Sequence, residues 1–404
     1  MDKKRLVKEA KGHLGVLCSD IGERRVGSEG NRRATDYVKR KFSEAGWQVQ
    51  ETQLDVMDWQ SQGATLTCGG QAFEVDSSHY SLGCSVEGEL LHIDTIQKLE
   101  NSDITGKIIL LYGEIAAQQI APKNFPFWNP EDHQYIISLL ERGRPLALVC
   151  ATERNSATAG GVYPFPMFED GDFDIPSVFM KDTEGEKLLA CAGKTVTLVS
   201  KAVRIPETAY NIIGKKGQGT EDRIVITAHI DAKIGTPGAI DNATGVTVLL
   251  LLAEMMKGYA ARYPLELVAF NGEDYYGATG QIKYIEQNEG RFGDIMLNIN
   301  IDGAGYKEGP SCFSPFGLPD EVREAMNDML CDNPYIVEGL PWYQGDHSLF
   351  LQQGRPAIAV SSDWFISNMD CQDITHTPKD NLEIVDYERV AECAMGIREL
   401  IEKL

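Results

Sequence analysis

Positive charge is scarce in this chain: 38 lysines and arginines stand against 60 aspartates and glutamates, for a net charge of -22 over 404 residues. Nucleic acid and anionic membranes would repel it, which excludes both as partners and favours small or cationic ligands. Paired cysteines are also lacking. The nine cysteines are odd in number, scattered from Cys18 to Cys393, and form no C-x-x-C motif. That excludes a disulfide framework or a zinc ribbon and reads as free thiols in a reducing compartment. No apolar run approaches the roughly 18 residues that would span a bilayer. The opening MDKKRLVKEAKGHLGVL has neither an apolar core nor a small-residue cleavage site, so a cytoplasmic location is expected. Internal repeats and low-complexity tracts are missing too, and nothing specifies an oligomeric state.

What remains is ordinary globular composition, 43% apolar and 24% charged, organised in two textures. Residues 1 to 23 carry helical spacing. The turn RVGSEGN follows, with Asn31 placed to cap a helix whose apolar face is Ala34, Val38 and Phe42. WQVQETQLDVMDW then alternates as a half-buried strand. From 62 to 200 the chain breaks into short strands (GKIILLYGE, PLALVCA, IPSVFM, KTVTLVS) between Gly and Pro turns, with one helix near 133–142. That reads as an inserted β-rich module. From 201 onward strand, loop and helix alternate. RIVITAHI, PLELVAF, IMLNINID and PAIAVSS are strands, while ATGVTVLLLLAEMM, GQIKYIEQNEG and DYERVAECAMGIRELIEKL are helices. Such alternation predicts an α/β domain with a mostly parallel sheet, built from 1–61 and 201–404 around the insertion at 62–200.

Ligands of open α/β sheets bind beyond the carboxyl ends of the strands. Those ends hold His229 and Asp231, then Asp241 in GAIDNATG, Glu273 and Asp274 in FNGEDYYG, Asp302, and His376 in THTPKDN. Singly, each has a plain alternative. His229-x-Asp231 could be a chance pair and Asp241-Asn242 a helix-capping turn. Glu273-Asp274 could be a solvated corner, Asp302-Gly303 a turn and His376-Thr377-Pro378 an ordinary loop. Their joint occurrence at one sheet edge is what those alternatives explain badly. Two histidines, three carboxylates and a spare Glu also match the needs of two cations about 3.5–4 Å apart sharing a bridging carboxylate. Imidazole with carboxylate suits zinc better than magnesium. Asp231, two residues from His229, is placed to orient that imidazole. His13, His79, His92 and His133 fall outside this pattern and read as surface or internally satisfied residues.

The ordered set H-x-D (229–231), G-A-x-D-N-A-x-G (238–245), N-G-E-D (271–274), N-x-D-G (300–303) and H-T-P-x-D (376–380) resembles the family-28 metallopeptidases. These are co-catalytic dizinc aminopeptidases related to glutamate carboxypeptidase II, the transferrin receptor and glutaminyl cyclase. GDHSLFLQQGRPAIAV and RVGSEGNRRATDYVKRKFSEAGWQV look like further segments of that family, and 84–200, notably ITGKIILLYGE, like its protease-associated domain.

The resemblance implies a three-layer α/β/α zinc-peptidase domain with an inserted protease-associated domain. It implies two Zn2+ or other divalent transition metals. Asp241 would bridge them, with His229 and Asp302 on one and Asp274 and His376 on the other. Glu273 would be the general base, with Asp231 orienting the His229 imidazole, in an enzyme acting on peptides with a free N-terminus. A carboxypeptidase or dipeptidase of the same fold would instead need a basic residue for the terminal carboxylate, Arg355 or Arg262 being candidates. A receptor-like homologue would have lost its ligands, and a glutaminyl-cyclase-like transferase would typically hold one zinc and lack the insertion. Two positions depart from the family pattern: Asp274 where relatives favour Glu, and Thr375 where some place an oxyanion-stabilising Tyr, leaving Tyr343, Tyr306 or the metals alone for that work. His347, in the GDHSLF segment, is expected to line the pocket or support a loop.

Overall fold

The computed structural model describes residues 2–218, 222–260 and 262–404. The chain divides into two compact units, Met57–Glu207 and Met1–Val56 with Thr208–Leu404. The junctions lie at 56/57 and 207/208 rather than at 61/62 and 200/201, because two long strands, Gln48–Cys68 (β1) and Thr195–Lys216 (β8), run unbroken through both places.

In the smaller unit β1 is followed by Gln71–Phe73 (β2), Asp76–Ser77 (β3), Cys84–Ile93 (β4), Ile108–Tyr112 (β5), Ala147–Thr152 (β6) and Ser177–Lys181 (β7). The strand order is β8-β4-β5-β6-β7-β3, with β4 to β7 parallel to one another. Apolar runs such as Ile108–Leu111 arise because alternate residues enter different cores. Ile109 and Leu111 join one cluster with Leu148, while Ile108 and Leu110 join another with Val149. The expected helix near 133–142 spans Glu131–Gly143.

The larger unit adds Arg223–His229 (β9), Leu265–Phe270 (β10), Ile295–Ile301 (β11), Ser311–Phe316 (β12), Ile336–Glu338 (β13) and Ala357–Ser362 (β14) in the order β13-β12-β14-β11-β9-β10-β8. Pairs β9/β10, β9/β11, β11/β14 and β12/β13 are parallel; β8/β10 and β12/β14 are antiparallel. Helices cover both faces. On one, Lys3–Leu14, Thr244–Met255 and Tyr387–Lys403 share a core with Ile226, Leu267, Ile299 and Val360. Helix Thr244–Met255 is buried on all sides from Thr244 to Ala253, which is why its sequence is apolar without a polar stripe. On the other face, Phe270 packs edge-on to Tyr284 of helix Thr279–Gln287, and Tyr284 meets Phe350 of helix His347–Gln352. The larger unit is thus a three-layer α/β/α arrangement with a mostly parallel sheet. Among the described residues no helix is long and apolar enough to cross a membrane.

One local expectation is corrected. Helix Glu29–Glu44 is capped by Ser28, whose hydroxyl accepts from the Asn31 amide at 3.0 Å. Asn31 lies inside the first turn, fully buried, with its side chain turned to other partners. Both residue types cap well, and the three-residue offset decides which one does so.

Candidate metal centre

The parallel register sets the site. Phe270 of β10 pairs with His229 of β9, so both strands end level and their following loops diverge from the same edge. His229 closes β9, Asp302 directly follows β11, and Glu273 and Asp274 follow β10. Asp241 sits in the turn Ala239–Ala243 that leads into helix Thr244–Met255. His376 arrives from the loop after the short helix Asp363–Ser367 that follows β14, with a left-handed backbone, φ 64°.

These residues converge on Asp241. Its Oδ1 lies 3.1 Å from His229 Nε2 and its Oδ2 3.2 Å from His376 Nε2. Asp302 Oδ1 is 3.7 Å from His229 Nε2, and Asp274 Oδ1 is 3.3 Å from His376 Nε2. Glu273 Oε2 stands 3.9 Å from His229 Nε2. His229, Asp241 and Asp274 each bring a ligand atom within 4.8 Å of the others.

Electrostatics and satisfaction together test whether cations fit. His229 Nε2 and Asp274 Oδ2 are buried without a hydrogen-bond partner. The 3.1 Å approach of His229 to Asp241 is close but not aligned for a hydrogen bond. An orphaned imidazole nitrogen facing several carboxylates is a donor set suited to a divalent cation. Burial alone would lower the affinity of His229 for a proton, but Asp231, Asp241 and Asp302 outweigh it and raise its pKa well above the ordinary value. His376 is likewise lowered by burial and raised further by Asp274 and Asp241. Glu273 is pushed well up by burial and by the charges of Asp274, Asp302 and Asp346. Asp241 is pushed up by burial but held below the carboxylate range by the two histidines. Negative charge is in excess of what two imidazoles can balance.

Asp231 holds the loop more than the ring. Its carboxylate lies 3.7 Å from His229 Nδ1, while its main-chain carbonyl is at 3.2 Å. Both carboxylate oxygens accept main-chain N–H groups of the Glu273 loop, Gly272 at 2.8 Å and Asp274 at 3.0 Å. Asp380 repeats this device for the other loop. It is fully buried and accepts from Ile240 N at 2.7 Å and Asp241 N at 3.0 Å. Burial and the charge of Asp241 push its carboxyl up to about 7. Asp380 closes the H-T-P-x-D motif, but the spacing carried no hint of its role. Asp346, also buried, takes 2.8 Å from Gln281 Nε2 and is pushed to about 7, mainly by burial.

The remaining candidates fall outside this group. His347 is buried, its Nε2 2.8 Å from the Trp342 carbonyl and its ring against Trp342 and Phe316, so it supports that loop. Thr375 accepts from Gln372. Tyr306 packs against Trp364 and Phe365, and Tyr343 is exposed. His13 contacts Tyr37, His79 Glu169, His92 the Tyr112 carbonyl, and His133 Gln118 and Ala121.

With the geometry established, likenesses to known proteins bear on it. Over 299 residues the chain is 25% identical to the probable lipoprotein aminopeptidase LpqL of Mycobacterium tuberculosis, covering 71% of this chain and 56% of that protein. Over 242 residues it is 25% identical to aminopeptidase YwaD of Bacillus subtilis, covering 56% and 50%. The chain therefore spans about half the length of these curated relatives. Among solved structures, the aminopeptidase from Aneurinibacillus sp. strain AM-1 aligns with a TM-score of 0.77 at 22% identity, covering 99% of this chain and 94% of that one. The zinc aminopeptidase BSAP from Bacillus subtilis aligns at 0.74 and 20%, covering 98% and 94%; at such identities these establish the fold. The profile of peptidase family M28 matches residues 211–401, the stretch that supplies every residue of the convergent cluster. By that match, residues 211–401 of the chain form a region of the peptidase family M28 type.

Proposed function

We propose that this protein is a zinc-dependent aminopeptidase that removes N-terminal residues from peptides. The observation that carries the reading is Asp241, whose two oxygens face two different imidazoles at 3.1 and 3.2 Å. One carboxylate between two nitrogen donors is the arrangement a bridged pair of cations requires. His229 and Asp302 would hold one zinc, Asp274 and His376 the other, and Asp241 both. Bound there, the pair would supply Lewis acidity toward the scissile carbonyl and lower the pKa of an attacking water.

The protein's own groups do the rest. Glu273, with a side chain 24% exposed beside Asp274 at 4%, faces the open side of the cluster. That partly open position beside the proposed ligands suits a base that would take a proton from the attacking water and return it to the leaving amine. The surplus of carboxylates favours a substrate that presents a cationic N-terminus. A carboxypeptidase would instead need an arginine at the site. Arg355 donates to the Ile295 carbonyl at the start of β11, the end away from Asp302, and Arg262 pairs with Glu321 at the surface. The unit at 57–207 is proposed to correspond to a protease-associated domain. The nine cysteines, all free, suit a reducing compartment such as the cytoplasm.

Leucyl and alanyl p-nitroanilides, N-blocked controls and a substrate free only at its C-terminus test the reading. Cleavage restricted to free N-termini is expected. Glu273→Gln should lower kcat by about 10²–10⁴-fold, the usual worth of a positioned base, while zinc content stays at the wild-type level. Undiminished turnover in Glu273→Gln would refute the assignment of the base.

A further inference from the structure

We propose that Arg24 and Asn31, which lie far ahead of the family-matched region, are positioning residues for the two loops carrying Asp241 and Glu273–Asp274, a role that presupposes the metal site proposed above. Arg24 is fully buried. Its guanidinium donates to five main-chain carbonyls. Two belong to its own neighbourhood, Leu17 at 3.3 Å and Gly22 at 3.1 Å. The other three belong to the loop between His229 and Asp241: Ile230 at 3.0 Å, Pro237 at 2.6 Å and Gly238 at 2.8 Å. Burying a charge in this way is costly. The planar, five-donor fork of arginine is the side chain able to satisfy so many converging carbonyls at once. The same loop is held from its N–H side by Asp380, so the segment presenting Asp241 is gripped from both sides.

Asn31 does the equivalent for the second loop. It exchanges hydrogen bonds with Asn271, donating to its Oδ1 at 2.9 Å and accepting from its Nδ2 at 2.8 Å, while also donating to the Arg24 carbonyl at 3.0 Å. Asn271 begins the loop whose next residues bond to Asp231. A single eight-residue stretch, 24–31, thereby ties the Asp241 loop to the Glu273–Asp274 loop and sets the spacing between their carboxylates. Groups that hold ligands in place are commonly worth about 10–100-fold in metal affinity.

Arg24→Lys and Asn31→Ser test this in the full-length chain. Lysine keeps the charge but loses two donors, and serine removes the reciprocal amide pair. Zinc affinity is measured by competition with a chromophoric chelator, and the melting temperature of the metal-free protein is measured alongside. The expected result is a zinc Kd raised about tenfold or more in each folded variant, with metal-free melting shifted by only a few degrees. A folded variant with the wild-type zinc Kd overturns the proposal. Failure of both variants to fold overturns it as well, since the residues would then hold up the fold rather than the site. If the wild-type chain takes up no zinc in the same assay, it is the metal site itself that fails.

Discussion

Replacing Asp380 with Asn isolates what a buried carboxylate does for a neighbouring ligand. The Asp380 carboxylate reaches the cluster through main-chain N–H groups, those of Ile240 and Asp241, at 2.7 and 3.0 Å. Asn at 380 keeps one acceptor oxygen and turns an NH2 group toward the second N–H. One charge-assisted hydrogen bond is lost, worth about 1.5–3 kcal/mol, and a buried donor is left without an acceptor, which costs about 1–3 kcal/mol more. The strain falls on the segment that presents Asp241, so it is relieved by letting that side chain drift. With each tenfold in affinity equal to ~1.4 kcal/mol, a shift of 10–100-fold in zinc Kd uses only part of that energy, in line with supporting residues elsewhere. The assay is zinc titration against a competing chelator, with peptidase activity followed at limiting and saturating zinc. Activity should fall most at limiting zinc and recover partly at saturation. Lys379→Ala is the control, because it removes only an exposed ion pair with Asp373 in the same segment. A folded Asp380→Asn protein with unchanged zinc Kd would show that the Asp241 loop holds its shape without this carboxylate.

Two further outcomes concern stability. Burial lowers the pKa of His347 from 6.5 to about 4, so the folded state favours the neutral ring. That contribution is complete above pH 6.5 and is lost as pH falls toward 4, amounting to roughly 3 kcal/mol at ~1.4 kcal/mol per pH unit. Thermal melts of His347→Gln should therefore vary less between pH 7 and 4.5 than those of the wild type, and parallel curves would contradict this. Leu251, fully buried in helix Thr244–Met255, should cost about 2–5 kcal/mol when truncated to Ala. Urea unfolding reads that loss.

The strands of the larger unit were legible because a parallel sheet covered on both faces demands continuous apolar runs, and RIVITAHI and PLELVAF leave little choice. Their polar ends were legible for the same reason: His229 and the Glu273–Asp274 pair stand where burial stops. Asp380 and Arg24 were not. Each acts on main-chain groups, Asp380 on residues 139 and 140 positions away and Arg24 on carbonyls 206 to 214 away. A backbone partner leaves no side-chain signature at its own position, so no spacing rule points to it. RVGSEGN read as a turn because Gly and Ser dominate it, and the capping role went to Asn31 when Ser28 fills it. In the smaller unit, short strands between turns suggested a β-rich module. Its parallel core becomes visible only through register, as with Ile108 to Leu111 beside Ala147 to Cys150.

Glu273 and Asp274 are adjacent in sequence and would repel if they faced one direction. The main chain separates them. Gly272 takes φ 133°, a conformation that side chains disfavour, and a Cβ there would come within 3.1 Å of Thr279 N. Asp231 grips the N–H groups on either side of Glu273, at Gly272 and Asp274. With both flanks held, the two side chains have different surroundings. Asp274 is almost wholly enclosed, one oxygen 3.3 Å from His376 and the other without a partner. Glu273 stays partly open, near His229. The shorter Asp, where the family pattern favours Glu, still meets His376, because it is the held backbone rather than side-chain length that carries the carboxylate there. A residue enclosed to that degree has little room for another methylene. The departure at 274 is therefore matched to the loop that presents it, and the division of labour proposed for the pair would rest on the grip of Asp231 on the Gly272 and Asp274 N–H groups.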